Sequence, residues 1–326
     1  MKTFGLIFVL YLPTPEFLTN LTRARAICAS VVVVDNSPEA DLILHERLRD
    51  EGTDVIFNRN QGGLAGAYNR GAESLLARNC DVFFLLDQDT DIDSSFFTQM
   101  MEGAAALGVE EFLAGPKIYE VNLKKCMAVF PPDKRLPLPV RIDNQSEGMI
   151  PTLLVISSGS VISAAAYRKL GAFREDYFIE CVDIEYSLRA SSRNVPVYMN
   201  AGVTIRQMTG QIDRHGKLFT TNHAAWRRYY GTRNAVHCLR LYRARWSLHW
   251  LVTPLVLYWA ACILLFDSDK LRKLVATACG YCDGFMSRLG TFESSHPHIA
   301  AFCEASARSP RKRGPNAAVT IRGVEP

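Results

Sequence analysis

What this sequence lacks narrows its chemistry first. Its nine cysteines are odd in number and fall at no regular spacing. That is not the paired framework of a small secreted protein, and it points to a reducing compartment. The one close pair, Cys279 and Cys282, is followed by no second pair and no histidines at matching spacing, so a structural zinc site is not expected. Charge of one sign is also scarce. Lys and Arg number 37 against 33 Asp and Glu, a formal net charge of +4. That permits an anionic partner without demanding one, and nucleic acid is not an expected partner. No lysine-rich loop follows the first apolar run, which weighs against a nucleotidyltransferase. The 48% hydrophobic and 21% charged content excludes a disordered chain. The opening run Phe4–Leu12 stops at Pro13, and a polar stretch intervenes before any cleavage-like site. It reads as a first core strand rather than a signal peptide.

The first half alternates. Apolar strands are expected at Phe4–Leu12, Ser30–Val34, Asp54–Phe57 and Asp81–Leu86. Helices are expected at Pro15–Arg25, Gly63–Ala77 and Asp93–Leu107. Apolar strands separated by helices imply βαβ units and a sheet covered on both faces. Ala114–Pro151 reads as irregular loops over a sheet edge. A helix is expected at Ala164–Leu170, an acidic helix start within Phe178–Ala190, a strand at Val195–Met199 and a basic helix at Trp226–Tyr242. Trp246–Phe266 contains no Asp, Glu, Lys or Arg and is long enough to cross a bilayer. Its Pro254, His249 and flanking aromatics favour a helix lying on the membrane surface. A true span and a buried helix pair stay open. An amphipathic helix at Asp269–Leu289 follows, and from Ser294 the chain reads as a disordered tail. The expected division is 1–225, 226–293 and 294–326.

Five constellations carry chemistry. Ligands of open α/β sheets bind beyond the carboxyl ends of strands, and two strands end there on acids. The run Phe83–Leu86 ends on Asp87-Gln-Asp89, and Val31–Val34 ends on Asp35. Asp87 and Asp89 suit a hard divalent cation shared with a diphosphate, although a solvated strand end looks the same. Asp35 can accept a hydrogen bond from a pyrimidine N–H, or form an ordinary Asx turn. Asn58–Gly71 combines Gly62, Gly63 and Gly66 with Asn60 and Asn69. Such a turn lets a backbone approach a diphosphate, and it equally serves close helix-on-sheet packing. Asp183-Ile-Glu185 opens a helix, where an acid can be a general base or merely complement the helix dipole. Arg228 and Arg233 lie in an Arg-rich helix suited to phosphate or to solvent.

The order of these motifs resembles the inverting GT-A glycosyltransferases of family 2 and, within them, the rhamnosyltransferases, including those of rhamnolipid synthesis. The matching segments are VVVVDNS, the Asn58–Gly71 pattern, LLDQD, ISSG, VDIEYSLR, RRYY and the late CGYCDGFMSRLG, across about Phe4–Glu293. The resemblance implies a GT-A, Rossmann-like mixed sheet with flanking helices and a C-terminal helical, membrane-associating extension. It implies that Asp35 binds thymine, that Asn60 and Asn69 line the nucleotide pocket, and that Gly62 and Gly63 approach the donor. Asp87 and Asp89 would hold a metal, Mg2+ or Mn2+, with the diphosphate. Asp183 would be the base, Glu185 its acidic neighbour, and Arg228 and Arg233 would lie near the diphosphate. The donor implied is dTDP-L-rhamnose, and the acceptor is a monorhamnolipid at the cytoplasmic face of the inner membrane. A lipid-linked O-antigen or capsule glycan is the alternative acceptor, and a noncatalytic partner in a membrane complex the alternative role. One departure stands out: Gln207 occupies the place of a frequent His ligand, for which His215 is a candidate substitute.

Overall fold

The computed structural model describes residues 3–14, 16–90, 94–143, 145–207, 213–215 and 218–304. The sheet begins with β1 (Phe4–Leu10), β2 (Val31–Asp35), β3 (Asp54–Phe57) and β4 (Val82–Asp87), linked by α1 (Glu16–Arg25), α2 (Leu42–Asp50) and α3 (Gly63–Ala77). These four strands are parallel in the order β3-β2-β1-β4. After α4 (Ser94–Ala106) come β5 (Leu113–Glu120), β6 (Lys125–Cys126), β7 (Met149–Pro151), β8 (Val161–Ser163), α5 (Ala164–Leu170), α6 (Val182–Ser192) and β9 (Val197–Gln207). The sheet continues from β4 as β8-β5-β9-β7, with β8 antiparallel to both neighbours and β6 paired to β5. This is the expected mixed sheet.

Unbroken apolar strands fit because both faces are covered. Along β1, Ile7 and Val9 enter one core with α3, α5 and α6. Leu6, Phe8 and Leu10 enter the other with α1 and α4, as the two-residue strand period requires. The small residues of α3 let it lie close on β1: a Cβ on Gly71 would stand 2.4 Å from Ile7 Cγ2. The tight-packing reading of that segment is therefore correct, whatever else the segment does.

Three expectations need correction. Ala114–Pro151 is not all loop, because β5 is an eight-residue strand inside the sheet between β8 and β9. Its Pro116 is tolerated at a register shift in the β5–β9 pairing. The helix α2 was not anticipated, because Leu42 and Ile43 at its start are exposed and its buried side chains are only His45 and Leu48. The chain beyond Ser294 is not a tail throughout. A hairpin of β10 (Asp213–His215) and β11 (Leu218–Thr220) leads to α7 (Ala225–Leu241), α8 (Val252–Phe266), α9 (Lys270–Met286), α10 (Phe292–Ser295) and α11 (Pro297–Glu304). Ala300 and Cys303 of α11 are buried in a cluster with Tyr229 and Phe292. The basic run at Arg308–Pro315 lies outside the described residues.

The helical C-terminal part shares a core with the sheet. Cys238, Trp246 and Leu248 belong to the same apolar cluster as α3 and α6. The uncharged segment lies along the protein, with Val252, Val256, Cys262 and Ile263 buried and Trp250, Leu257, Leu264 and Leu265 exposed.

Candidate active site

Asp35 and Asp87 end β2 and β4, the two strands on either side of β1. Leu10 of β1 pairs with Asp35 and Val9 pairs with Asp87, so the acids flank β1 at one sheet edge, roughly 10 Å apart by strand spacing. Asp35 is sealed from solvent. Its Oδ1 accepts from the Ser37 amide at 2.8 Å, and its Oδ2 meets His45 Nε2 at 2.7 Å. Next to it, the Asn36 amide donates to Gly63 O at 3.0 Å and accepts from Asn58 Nδ2 at 2.7 Å. The β2, β3 and α3 loops are thereby knitted into one rim.

The Ser157-Ser158-Gly159 turn brings the other two acids together. It is hooked onto β4 by Leu85 N to Ser160 O at 2.9 Å and Gly159 N to Leu85 O at 2.8 Å. From it the Ser158 hydroxyl donates to Asp87 Oδ2, and the Ser157 amide donates to Asp183 Oδ2 at 3.1 Å. Consecutive residues therefore grip Asp87 and Asp183, although the two acids are 96 positions apart in sequence. The motif was visible in the sequence, but its bridging role was not.

Asp183 sits in the first turn of α6, where the Ile184 amide donates to Oδ1 at 2.8 Å. Burial raises its carboxyl to a pKa of about 6, opposed by those two amide donors. Burial also raises Asp87, opposed by the Ser158 hydroxyl and reinforced by the charge of Asp89. A carboxylate pushed toward neutrality, at a helix start beside a second acid, can take a proton from a hydroxyl near physiological pH. Asp89 is exposed, and Asp91 lies outside the described residues.

The loop leading to Asp183 is held in an unusual backbone. Phe178, Glu180 and Cys181 have φ of 65°, 60° and 57°, which costs on the order of 1–3 kcal/mol at each non-glycine residue. Asn234 compensates by donating to the carbonyls of Tyr177, Ile179 and Glu180 at 3.0, 2.7 and 2.8 Å. Arg233 donates to Asp176 O at 2.9 Å, to Tyr177 O at 3.2 Å and to Gly290 O. The neighbouring loop docks on the same segment, with Leu64 N on Phe178 O at 2.7 Å.

Several expected ligand contacts are overturned by these bonds. Arg233 is 0% exposed and spends its guanidinium on the loop, so it cannot lie against a diphosphate. Asn69 is sealed in, bonding Phe173 N and O, Glu175 and the Tyr167 hydroxyl, so it does not line a pocket. Glu185 is buried on Arg189 and Tyr242. Two positions along the helix from Asp183, it faces away from that acid. Gly62 and Gly63 make close approaches to the protein itself. A Cβ on Gly63, at φ +61°, would stand 2.1 Å from Phe178 O. Arg228 uses one terminal nitrogen on Asp267 and the Thr220 hydroxyl, both at 3.2 Å, with Asp267 shared with Lys273, while its buried Nε has no partner among the described residues, so its expected place near the diphosphate is not overturned. Asn60 is half-buried in the rim loop at φ 56°. Gln207 is the last residue of β9, paired with Glu120. The side chain of His215 lies outside the described residues.

Among the described residues no three His, Cys, Asp or Glu side chains converge as a metal cage. Asp87 and Asp89 supply two hard oxygen donors on one turn, with Asp87 desolvated beside its neighbour's charge. That set fits a divalent cation completed by diphosphate and water, and it does not fit a closed protein site.

No family model matches the chain. Over 244 residues it is 28% identical to dTDP-rhamnosyl transferase RfbF of Shigella flexneri, covering 72% of this chain and 79% of that protein. Over 114 residues it is 30% identical to the uncharacterized glycosyltransferase R363 of Acanthamoeba polyphaga mimivirus, covering 34% and 43%. Its fold matches GalNAc-T7, crystallised with UDP, GalNAc and Mn2+, at a TM-score of 0.57 and 12% identity. That match covers 95% of this chain, which spans 58% of the GalNAc-T7 chain. The fold is that of a GT-A glycosyltransferase. The enzyme class follows from the relatives by sequence: the chain is a glycosyltransferase.

Proposed function

We propose that the chain transfers L-rhamnose from dTDP-L-rhamnose to the hydroxyl of an amphiphilic acceptor, a monorhamnolipid, by a single inverting displacement. The observation that carries the reading is the Asp87–Asp183 pair gripped by one serine turn, with Asp183 raised to about 6. The relative named for dTDP-rhamnosyl transfer supports the donor. Asp183 takes the proton of the acceptor hydroxyl. That oxygen bonds to the anomeric carbon as the bond from this carbon to the diphosphate breaks. Arg59, Asn60 and Gln61 of the rim loop form the nucleotide end, and Asp35, spent on Ser37 and His45, holds the rim from beneath. Asp87 and Asp89 would hold a divalent cation, Mg2+ or Mn2+, which when bound neutralises charge on the leaving dTDP.

The surface supports an amphiphilic acceptor. Trp250, Pro254, Leu257, Ala261, Leu264 and Leu265 are all exposed, and their three-to-four-residue spacing puts them on one face of the Ser247–Phe266 segment. Leu271, Phe285 and Met286 of α9 are exposed as well. The other side of α8 is packed on the protein, so the segment suits a surface-lying helix rather than a span. The cytoplasmic face of the inner membrane, where a nucleotide sugar and a lipid acceptor meet, is the proposed location.

The test is direct: incubate the protein with dTDP-L-rhamnose, magnesium and monorhamnolipid or a polyprenyl-linked glycan, and weigh the product. A dirhamnolipid supports the reading. Rhamnose on the glycan alone moves the acceptor to the alternative. No transfer and no hydrolysis of the donor refutes both.

A further inference from the structure

The helix α2 docks with little apolar reason. Leu42 and Ile43 are exposed, and the side chains it buries are His45 and Leu48. The polar one of the two goes to the site. His45 is 1% exposed, and its Nε2 meets Asp35 Oδ2 at 2.7 Å. Its ring lies 5.7 Å from that of Phe57 between centroids, and the guanidinium of exposed Arg59 stands 5.4 Å from the Phe57 centroid. A carboxylate sealed as Asp35 is must be paired. The Ser37 amide reaches Oδ1, and His45 serves the other oxygen. A buried ion pair adds little stability against an apolar pair of the same volume. What this pair adds is a fixed orientation of Asp35.

Three turns hang on that orientation. Ser37, whose amide bonds Asp35, accepts Leu12 N on its hydroxyl at 2.9 Å, and Leu12 stands at φ 48°. Asn36 N donates to Leu10 O at 2.8 Å, and Asn58 N donates to Asp35 O at 2.9 Å. The Asn36 side chain bonds Gly63 O and Asn58 Nδ2, and Asn58 Nδ2 also reaches Gln61 O at 2.8 Å. The ends of β1, β2 and β3 therefore meet around one carboxylate, at the edge of an open α/β sheet where ligands bind. We propose that His45 is a positioning residue for nucleotide binding. It fixes Asp35, and through Ser37, Asn36 and Asn58 it sets the three turns, with Arg59 on Phe57, in the arrangement that receives a nucleoside diphosphate. The identity of that ligand rests on the glycosyl-transfer reading above.

The test uses the full-length protein and dTDP as the probe, by calorimetry with magnesium. His45→Leu removes the partner of Asp35, and His45→Gln keeps an N–H donor of similar reach. His45→Leu should bind dTDP about tenfold more weakly or worse, because the turns must then be ordered on binding. His45→Gln should stay within about threefold of the parent. With dTDP-L-rhamnose the loss should fall on the donor KM rather than on kcat. Asp35→Asn with His45→Leu buries no charge and keeps an oxygen for Ser37 N, so it carries the same test if His45→Leu does not fold. Parent-like affinity in the folded leucine variants overturns the proposal, as does a loss in His45→Gln equal to that in His45→Leu. A parent that binds no dTDP refutes the functional reading instead. Hydrogen exchange of the free protein then decides the positioning: residues 10–12, 36–37 and 58–63 should exchange faster in His45→Leu than in the parent, with β4 unchanged and His45→Gln restoring the parent rate. Unchanged exchange at these turns overturns the inference by itself.

Discussion

Replacing Asp183 by Asn tests the site by stability as well as by rate. The folded protein holds the Asp183 carboxyl at about 6 against an ordinary 3.8, chiefly through burial. At pH 8 that difference is a penalty of roughly 3 kcal/mol on the ionised form. Because the folded-state value lies above the unfolded one, the stability tied to this proton is fully present below about pH 4. It is lost as pH rises through about 6. Asn resembles the neutral acid and carries no such penalty. It does turn its NH2 toward one of the two amides, Ser157 N or Ile184 N, that now donate to separate oxygens, at a cost of roughly 1–3 kcal/mol. That clash is the same at every pH and cancels from a comparison. Asp183→Asn should therefore gain roughly 2 kcal/mol relative to the parent between pH 4.5 and pH 8, measured by urea unfolding at both. Its turnover at pH 8 should fall about 10²–10⁴-fold with dTDP affinity kept. The parent's rate should decline below about pH 6, where the base becomes protonated. A stability difference that does not change with pH, or turnover near the parent's, would refute the assignment.

Other expectations follow from the same geometry. Asp87→Ala with Asp89→Ala should abolish the metal-dependent part of dTDP binding, read by calorimetry with and without chelator; equal affinities in both would remove the metal role. Arg233→Met should destabilise the fold by on the order of 3 kcal/mol or more, since three carbonyls lose a charged donor, and thermal melting checks this. Gly63→Ala places a methyl against Phe178 O and should lower both melting temperature and turnover. Trp250→Ser with Leu257→Ser should leave the melt unchanged and reduce sedimentation with anionic vesicles; parent-like sedimentation would argue against a membrane-facing surface.

Local pattern placed β1 to β4, α1, α3 and α4. Short apolar runs such as Phe4–Leu10 and Val31–Val34, bounded by turn residues and alternating with helices, read as strands covered on both sides, and an acid at the carboxyl end of such a strand lies at the ligand edge. Asp35 and Asp87 were therefore legible as strand-end acids, and Asp183 as an acid opening a helix. The interior strand β5 was not, because Pro116 and Lys117 mask its period and its partners β8 and β9 lie far along the chain. The division of labour among the remaining polar residues was not legible either. An asparagine or arginine looks the same in sequence whether it faces a ligand or a backbone carbonyl. Burial decides between them, and burial of Asn69, Glu185 and Arg233 arises only when α3, α6 and α7 close on the strained loop at residues 176–181. Ser157 and Ser158 reach two different acids because their turn is hooked onto β4, a pairing between segments far apart in the chain. Sequence determined which groups could act; tertiary packing decided which were spent on holding the site and which stayed free for the reaction.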